Sequence, residues 1–279
     1  MSATIDTATQ TAEAEESFAG PRVSFLARHE STIVGTASVI AFLFFWEYAV
    51  HAKWVNALFT SSPLRIIVAG ADMVKEGTIW QDLATSGLEF GLGYGMAVAI
   101  GVPLGILMGW YKRLNSVLEP FVNALYATPR IALLPLIVIW FGIDLGSKVA
   151  IVFLSTVFPI LVNTMVGIRT IDRDFVKVAR SFGASDRQLF LTVALPSSVP
   201  FLLTGLRLGL GHALIGIVVG EMYGATSGIG YMMAVAGSTF QTDRVMVGII
   251  IIAASGMIMT HMLKLIEQRF EKWRVDSRG

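Results

Sequence analysis

The chain has 279 residues, 54% of them hydrophobic and 15% charged, far below the roughly 25% charged residues of an ordinary soluble domain. With a mean hydropathy of +0.67, it reads as an integral membrane protein. The formal net charge of +1 gives no bulk basicity for nucleic-acid binding, and the absence of cysteine excludes a disulfide framework, thiol catalysis and Cys-ligated metal. The first residues are polar and acidic (Glu13, Glu15, Glu16), without the basic start and apolar run of a signal peptide. Residues 1–30 are therefore expected to form a disordered tail on the inner side.

Apolar segments close to the ~20 residues needed to cross a bilayer lie at about Thr32 to Val50, Leu83 to Trp110, Phe121 to Phe141, Val149 to Ile168, Val199 to Met222 and Val245 to Ile266. The expected fold is all-α: about six transmembrane helices within residues 31–268, followed by a cytoplasmic tail over 269–279. Trp46, Tyr48 and Trp54 suit an interfacial aromatic belt at the outer end of the first helix. Pro63 to Lys75 reads as an amphipathic outer helix with Leu64, Ile67, Val68 and Ala71 on one side, and Gly228 to Thr239 as another with Tyr231, Met232 and Val235 inward. Both would form the outer rim, capping the bundle or meeting a binding protein.

Lysine and arginine are retained on the cytoplasmic side. With both termini inside, the inner face holds Arg22, Arg28, Lys112, Arg113, Arg169, Arg173, Lys177, Arg180, Arg187, Lys264, Arg269, Lys272, Arg274 and Arg278, against Lys53, Arg65, Lys75, Lys148 and Arg244 outside. This asymmetry places the polar loop 172–196 in the cytoplasm. Asp172 can cap a helix in which Phe175, Val178, Ala179 and Phe182 fall at i, i+3, i+4 and i+7, while Arg173, Lys177 and Arg180 share another face. Gly183 ends that helix. After Ala184, Ser185 or Asp186 can cap a second one, with Leu189, Phe190 and Val193 on one side, and Pro196 after Leu195 is expected to stop it. Helix, glycine hinge and helix, too short of apolar residues to span, should lie on the membrane surface or in a partner's groove.

Glycines recur four apart as Gly87, Gly91, Gly95; Gly101, Gly105, Gly109; Gly205, Gly209; and Gly216, Gly220, Gly224, a spacing that lets membrane helices pack closely. Pro103, Pro135 and Pro159 should kink their spans. Ionisable residues within spans face protein or water rather than lipid. Glu89, Arg130, Arg207 and Glu221, with the polar Asn163, are the candidates for a translocation path; an ion pair or helix-end charge is the alternative for Arg207 and Glu221. Arg130 or Arg207 would help an anionic solute, and Glu89 would hinder one unless paired or protonated. His212 is expected to pack among helices.

The spacing of Ala179, Gly183, Val193, Leu195 and Pro196 resembles the EAA loop of ABC-importer permeases. Lys177 stands where that pattern has its acidic residue and Val178 where it has its first alanine. The segments Leu134 to Ile143, Phe158 to Asn163, Leu203 to Arg207 and Gly228 to Tyr231 are similar to the permeases of the nitrate, taurine and aliphatic sulfonate importers, in order from about Leu83 onward. The resemblance implies a type I importer permease (MetI-like) in a bacterial inner membrane, pairing with a second permease subunit. ATPase subunits would dock on the loop, at Lys177, Ala179, Arg180, Gly183, Ala184, Ser185, Leu195 and Pro196, and a periplasmic solute-binding protein would deliver a small, anionic solute. The chain itself would carry no cofactor, ATP and Mg residing in the ATPase; it has no glycine-rich loop ending in Gly-Lys-Ser or Gly-Lys-Thr. An ion-coupled carrier would need midplane ionisable residues and commonly shows repeated halves; no internal repeat is evident. A membrane-embedded enzyme finds no support in the four scattered histidines, His29, His51, His212 and His261.

Overall fold

The computed structural model describes residues 25–171 and 173–270. Residues 1–24 of the tail expected over 1–30, the Asp172 cap and residues 271–279 of the C-terminal tail lie outside the described residues, while residues 25–30 are helical. The chain divides into two compact units, residues 1–57 and 58–279.

In the first unit, helix α1 (Phe25–His51) begins ahead of the apolar run. From Thr32 to His51 its side chains are mostly apolar and mostly exposed within the chain, as a lipid-facing span requires. It closes in a turn where the Lys53 and Trp54 amides bond back to Val50 and Ala49. There the Trp54 ring meets Tyr48 edge-on at 5.6 Å and Phe45 at 6.4 Å.

The second unit opens with α2 (Pro63–Glu76). The helix forms as expected; its buried residues are Ile66 and Met73, while Leu64, Ile67, Val68 and Ala71, the apolar side read from the sequence, are exposed within the chain. Helix periodicity groups the apolar residues correctly; with apolar side chains on both faces, only tertiary contact selects between them.

The core is a slab of three helices, α3 (Thr78–Trp110), α6 (Leu145–Arg169) and α8 (Asp186–Gly224), with α6 buried between the other two. Glycine sets the approach distances. A Cβ at Gly93 would meet Val152 at 2.6 Å, at Gly105 the Leu161 carbonyl at 2.6 Å, and at Gly109 Ile168 at 2.6 Å. On the other side, Gly205 lies against Asn163, Gly209 against Ile160, and Gly220 against Ile151. Numbering rises together in the first set and oppositely in the second, so α3 and α6 run parallel and α8 antiparallel to them. The outermost repeat is a correction: Gly87, Gly91 and Gly95 have nothing within 4 Å, and Gly93, off that stripe, makes the contact. A repeat of small residues marks a face able to pack, while the neighbour determines which face does.

Parallel α3 and α6 require the intervening chain to recross the slab. It does so as a broken pair: α4 (Lys112–Ala127), then a 3₁₀ turn Arg130–Leu133 leading into α5 (Leu134–Phe141), bent by 88°. Legs of about 24 and 18 Å at a right angle still cover about 30 Å. The single helix expected over Phe121 to Phe141 is thus two. Pro129 has no amide to donate and holds Thr128 extended (ψ 129°). Pro135 sits in the first turn of α5, where a missing donor is harmless, instead of kinking a span.

After α6 the chain forms α7 (Arg173–Ser181), the glycine turn, and α8. Pro196 does not stop the second helix. A π-helical turn at Phe190–Ala194 hands over directly to the segment beginning at Leu195, which contains Pro196 in its first turn. The wider turn relieves the register in which the proline ring would meet the preceding carbonyls. Beyond α8, the rim helix α9 (Ile229–Ser238) buries Ile229, Gly230 and Ala236; Tyr231 and Met232 are half-buried and Val235 is exposed, which corrects the inward face expected for it. The last span is α10 (Thr242–Phe270). Among the described residues, five helices are long and apolar enough to cross a membrane, and the bent pair makes a sixth.

Candidate functional site

The expected coupling residues gather around the N-terminal end of α8. Gly183 takes φ +78°, a left-handed conformation that costs an L-residue roughly 1–2 kcal/mol, and its amide bonds to the Arg180 carbonyl at 2.9 Å. The Ala184 amide reaches Ala179 at 3.1 Å, so α7 ends in a tight reversal. Ser185 then caps α8 in a reciprocal box: its hydroxyl accepts from the Gln188 amide, and its own amide donates to Gln188 Oε1 at 2.9 Å. Arg180 bridges the turn to Asp186 at 3.0 Å, and Lys177 pairs with Asp174 at 2.8 Å. Lys177 thus has a carboxylate on its own helix at the position where the EAA pattern carries an acid.

One face of this corner has no partner among the described residues. Phe182 is 88% exposed, Phe175 52% and Val178 55%. The other face is anchored: Leu189 and Ala194 are buried, and Phe190 meets Trp110 at the end of α3 edge-on at 4.9 Å. Leu195 and Pro196 are half-buried within α8. They lie within the helix and outside the exposed face.

The path candidates divide. Arg207 reaches Glu267 of α10 in an ion pair, the alternative foreseen for it. Arg130, at the break between α4 and α5, donates to the Tyr126 carbonyl at 2.9 Å and lies over the Tyr126 and Phe158 rings. Asn163 donates to Pro159 within its own helix at 2.8 Å and packs beside Gly205. His212 bonds to the Leu208 carbonyl one turn back. These residues do not converge.

Glu89 and Glu221 do converge. Both are buried, and they meet each other, with Lys148 within electrostatic reach of Glu89. Glu221 accepts from Ser86 Oγ at 2.6 Å and from the Gly230 amide at 2.6 Å; Ser86 in turn accepts from the Ile229 amide at 2.9 Å, and Asp82 from the Gly228 amide at 2.9 Å. Asp82, Ser86, Lys148, Gly228 and Gly230 were not singled out from the sequence as site residues. The i, i+4, i+7 spacing of Asp82, Ser86 and Glu89 was the available signal, a polar stripe on a span that is otherwise apolar.

Residues 101–272 match the family model described as binding-protein-dependent transport system inner membrane component. Among curated relatives, the chain is 38% identical over 231 residues to the putative aliphatic sulfonates transport permease SsuC of Escherichia coli (82% of this chain, 87% of that one). It is 35% identical over 234 residues to its Bacillus subtilis namesake (84% and 85%), and 32% identical over 253 residues to the taurine transport system permease TauC of Escherichia coli (89% and 91%). A solved amino acid ABC transporter with histidines shares the fold, with a TM-score of 0.53 at 22% identity over 72% of this chain and 97% of that one. The chain is a transport permease belonging to the binding-protein-dependent transport system inner membrane components.

Proposed function

We propose that this permease is one of two like subunits in the inner membrane, with both termini cytoplasmic. An ATPase docks on the α7 corner, and a periplasmic solute-binding protein delivers a small anionic or zwitterionic solute of the sulfonate and taurine class. ATP and Mg belong to the ATPase; this chain contributes the path and the coupling. The carrying observation is the exposed apolar face of α7, joined through Gly183 to a helix that continues through the membrane. Covering Phe182 alone would contribute about 1.5–3 kcal/mol, and a push on the corner would travel along α8 because the π-turn carries the helix into the segment beginning at Leu195 without an intervening loop. The relatives named for sulfonates and taurine support the solute class.

Because the chain has no cysteine, Arg187→Cys provides a single labelling site for the test. A membrane-impermeant maleimide should leave it unmodified in sealed cells and label it in inverted vesicles, and co-purified ATPase should protect it. Labelling from outside would place the corner in the wrong compartment and end this reading.

A further inference from the structure

The carboxylates at the outer end of α8 have a task that the coupling corner does not explain. Helix α9 begins with three backbone donors, on Gly228, Ile229 and Gly230, which have no acceptor inside their own helix. All three are taken by side chains from outside it: Asp82, Ser86 and Glu221. Acidic groups suit this place, since a helix N-terminus carries partial positive charge. Gly228 has φ +110°, and a Cβ there would collide with the Glu221 carboxyl, while one on Gly230 would lie 2.8 Å from Glu221 Cβ. The glycines let the carboxylate come this close.

These bonds are of two kinds. Glu221 to Gly230 joins α8 to the helix that follows it, so the two move as one piece. Asp82 to Gly228, Ser86 to Ile229 and Ser86 to Glu221 cross from α3 to that piece. Near them the packing is open. A cavity of about 80 Å³ is lined by Leu83, Ser86, Phe90, Ile217, Glu221 and Ile229, among others, and Gly87 and Gly91 of α3 touch nothing. Close glycine packing against α6 starts only at Gly93. Phe90 of α3 packs with Leu210, Ala213 and Ile217 of α8; ahead of it the start of α3 meets α8 and α9 through these polar bonds beside the cavity, an arrangement that can part without tearing that packed core.

We propose that Asp82, Ser86 and Glu221 form an outer latch that holds the α8–α9 unit against α3, and that displacement of α8 by the ATPase at its other end opens it. The proposal rests on the importer reading above. One continuous helix of 39 residues, about 58 Å long, joins the two ends.

The test uses the intact transporter, purified with its ATPase and binding protein. Leu83→Cys with Ile229→Cys, which face the same cavity, should cross-link with oxidant or a short bis-maleimide in the nucleotide-free state. Trapping the ATPase with ATP and vanadate should lower the yield about tenfold, the equivalent of losing one such bond. Ser86→Ala should raise ATP hydrolysis in the absence of loaded binding protein by a similar factor, while Ser86→Thr, which keeps the hydroxyl, behaves as wild type; a purely structural role would alter the amount of folded protein and leave that ratio unchanged. An ATPase that co-purifies and traps vanadate while the cross-link yield stays constant, no cross-link in the resting state, or Ser86→Ala with wild-type coupling overturns the latch and leaves the importer reading intact. A chain that carries no ATPase overturns both.

Discussion

The two ends of α8 hold the same kinds of parts in opposite settings. At the N-terminal end, Gly183 (φ +78°) has nothing within 4 Å of its missing Cβ, and the Arg180–Asp186 pair is 63% and 79% exposed. At the C-terminal end, Gly228 (φ +110°) is pressed against a carboxylate and Glu221 is 1% exposed. Backbone conformation requires glycine in both cases, and crowding by Glu221 requires it again in the second. An exposed ion pair contributes about 0–1 kcal/mol, whereas a buried carboxylate holding two donors loses considerably more when either is removed. On the reading proposed above, the N-terminal end suits engaging and releasing a partner, and the C-terminal end suits holding until driven.

Alanine at the two kinds of glycine gives the widest separation. Gly230→Ala should destabilise the chain by about 3 kcal/mol or more through overpacking, whereas Gly183→Ala should cost about 1 kcal/mol. Thermal aggregation in detergent measures both, and equal losses would erase the distinction. Next, Gly183→Asp should leave the chain in the membrane and end its coupling to the ATPase; normal co-purification of the ATPase with normal uptake would contradict the role given to the corner. Phe182→Ala should weaken ATPase association about tenfold to a hundredfold with an unchanged melting temperature, because the ring makes little contact within the chain. Smallest of all, Arg180→Ala should change stability by less than about 1 kcal/mol. Glu267→Gln should match Arg207→Ala in transport if Arg207 serves its ion pair, and a much larger loss for Arg207→Ala would return that residue to the path.

Much of the N-terminal end could be read from the sequence because its signals are local. The Gly183 turn, the Ser185 cap and the amphipathic face with Phe182 each depend on residues within a few positions of one another, as helix caps and periodicity do. The C-terminal end could not be read this way. Asp82 and Gly228 are 146 positions apart, and neither stands out alone. The third span was misread for a related reason: hydropathy over Phe121 to Phe141 reports transfer into lipid and is blind to a break at Thr128, where only the backbone rule for Pro129 applies.

Composition and the spacing of apolar runs determined by themselves that this chain crosses a membrane about six times, since the cost of lipid transfer is summed residue by residue. The distribution of lysine and arginine set the expected sidedness in the same additive way. Tertiary structure decided which small-residue face packs, whether Pro196 ends a helix or is absorbed by a π-turn, and which carboxylate meets which amide. In lipid there is no hydrophobic gain in bringing one helix against another, so partners are chosen by close fit and hydrogen bonding between segments far apart in the chain.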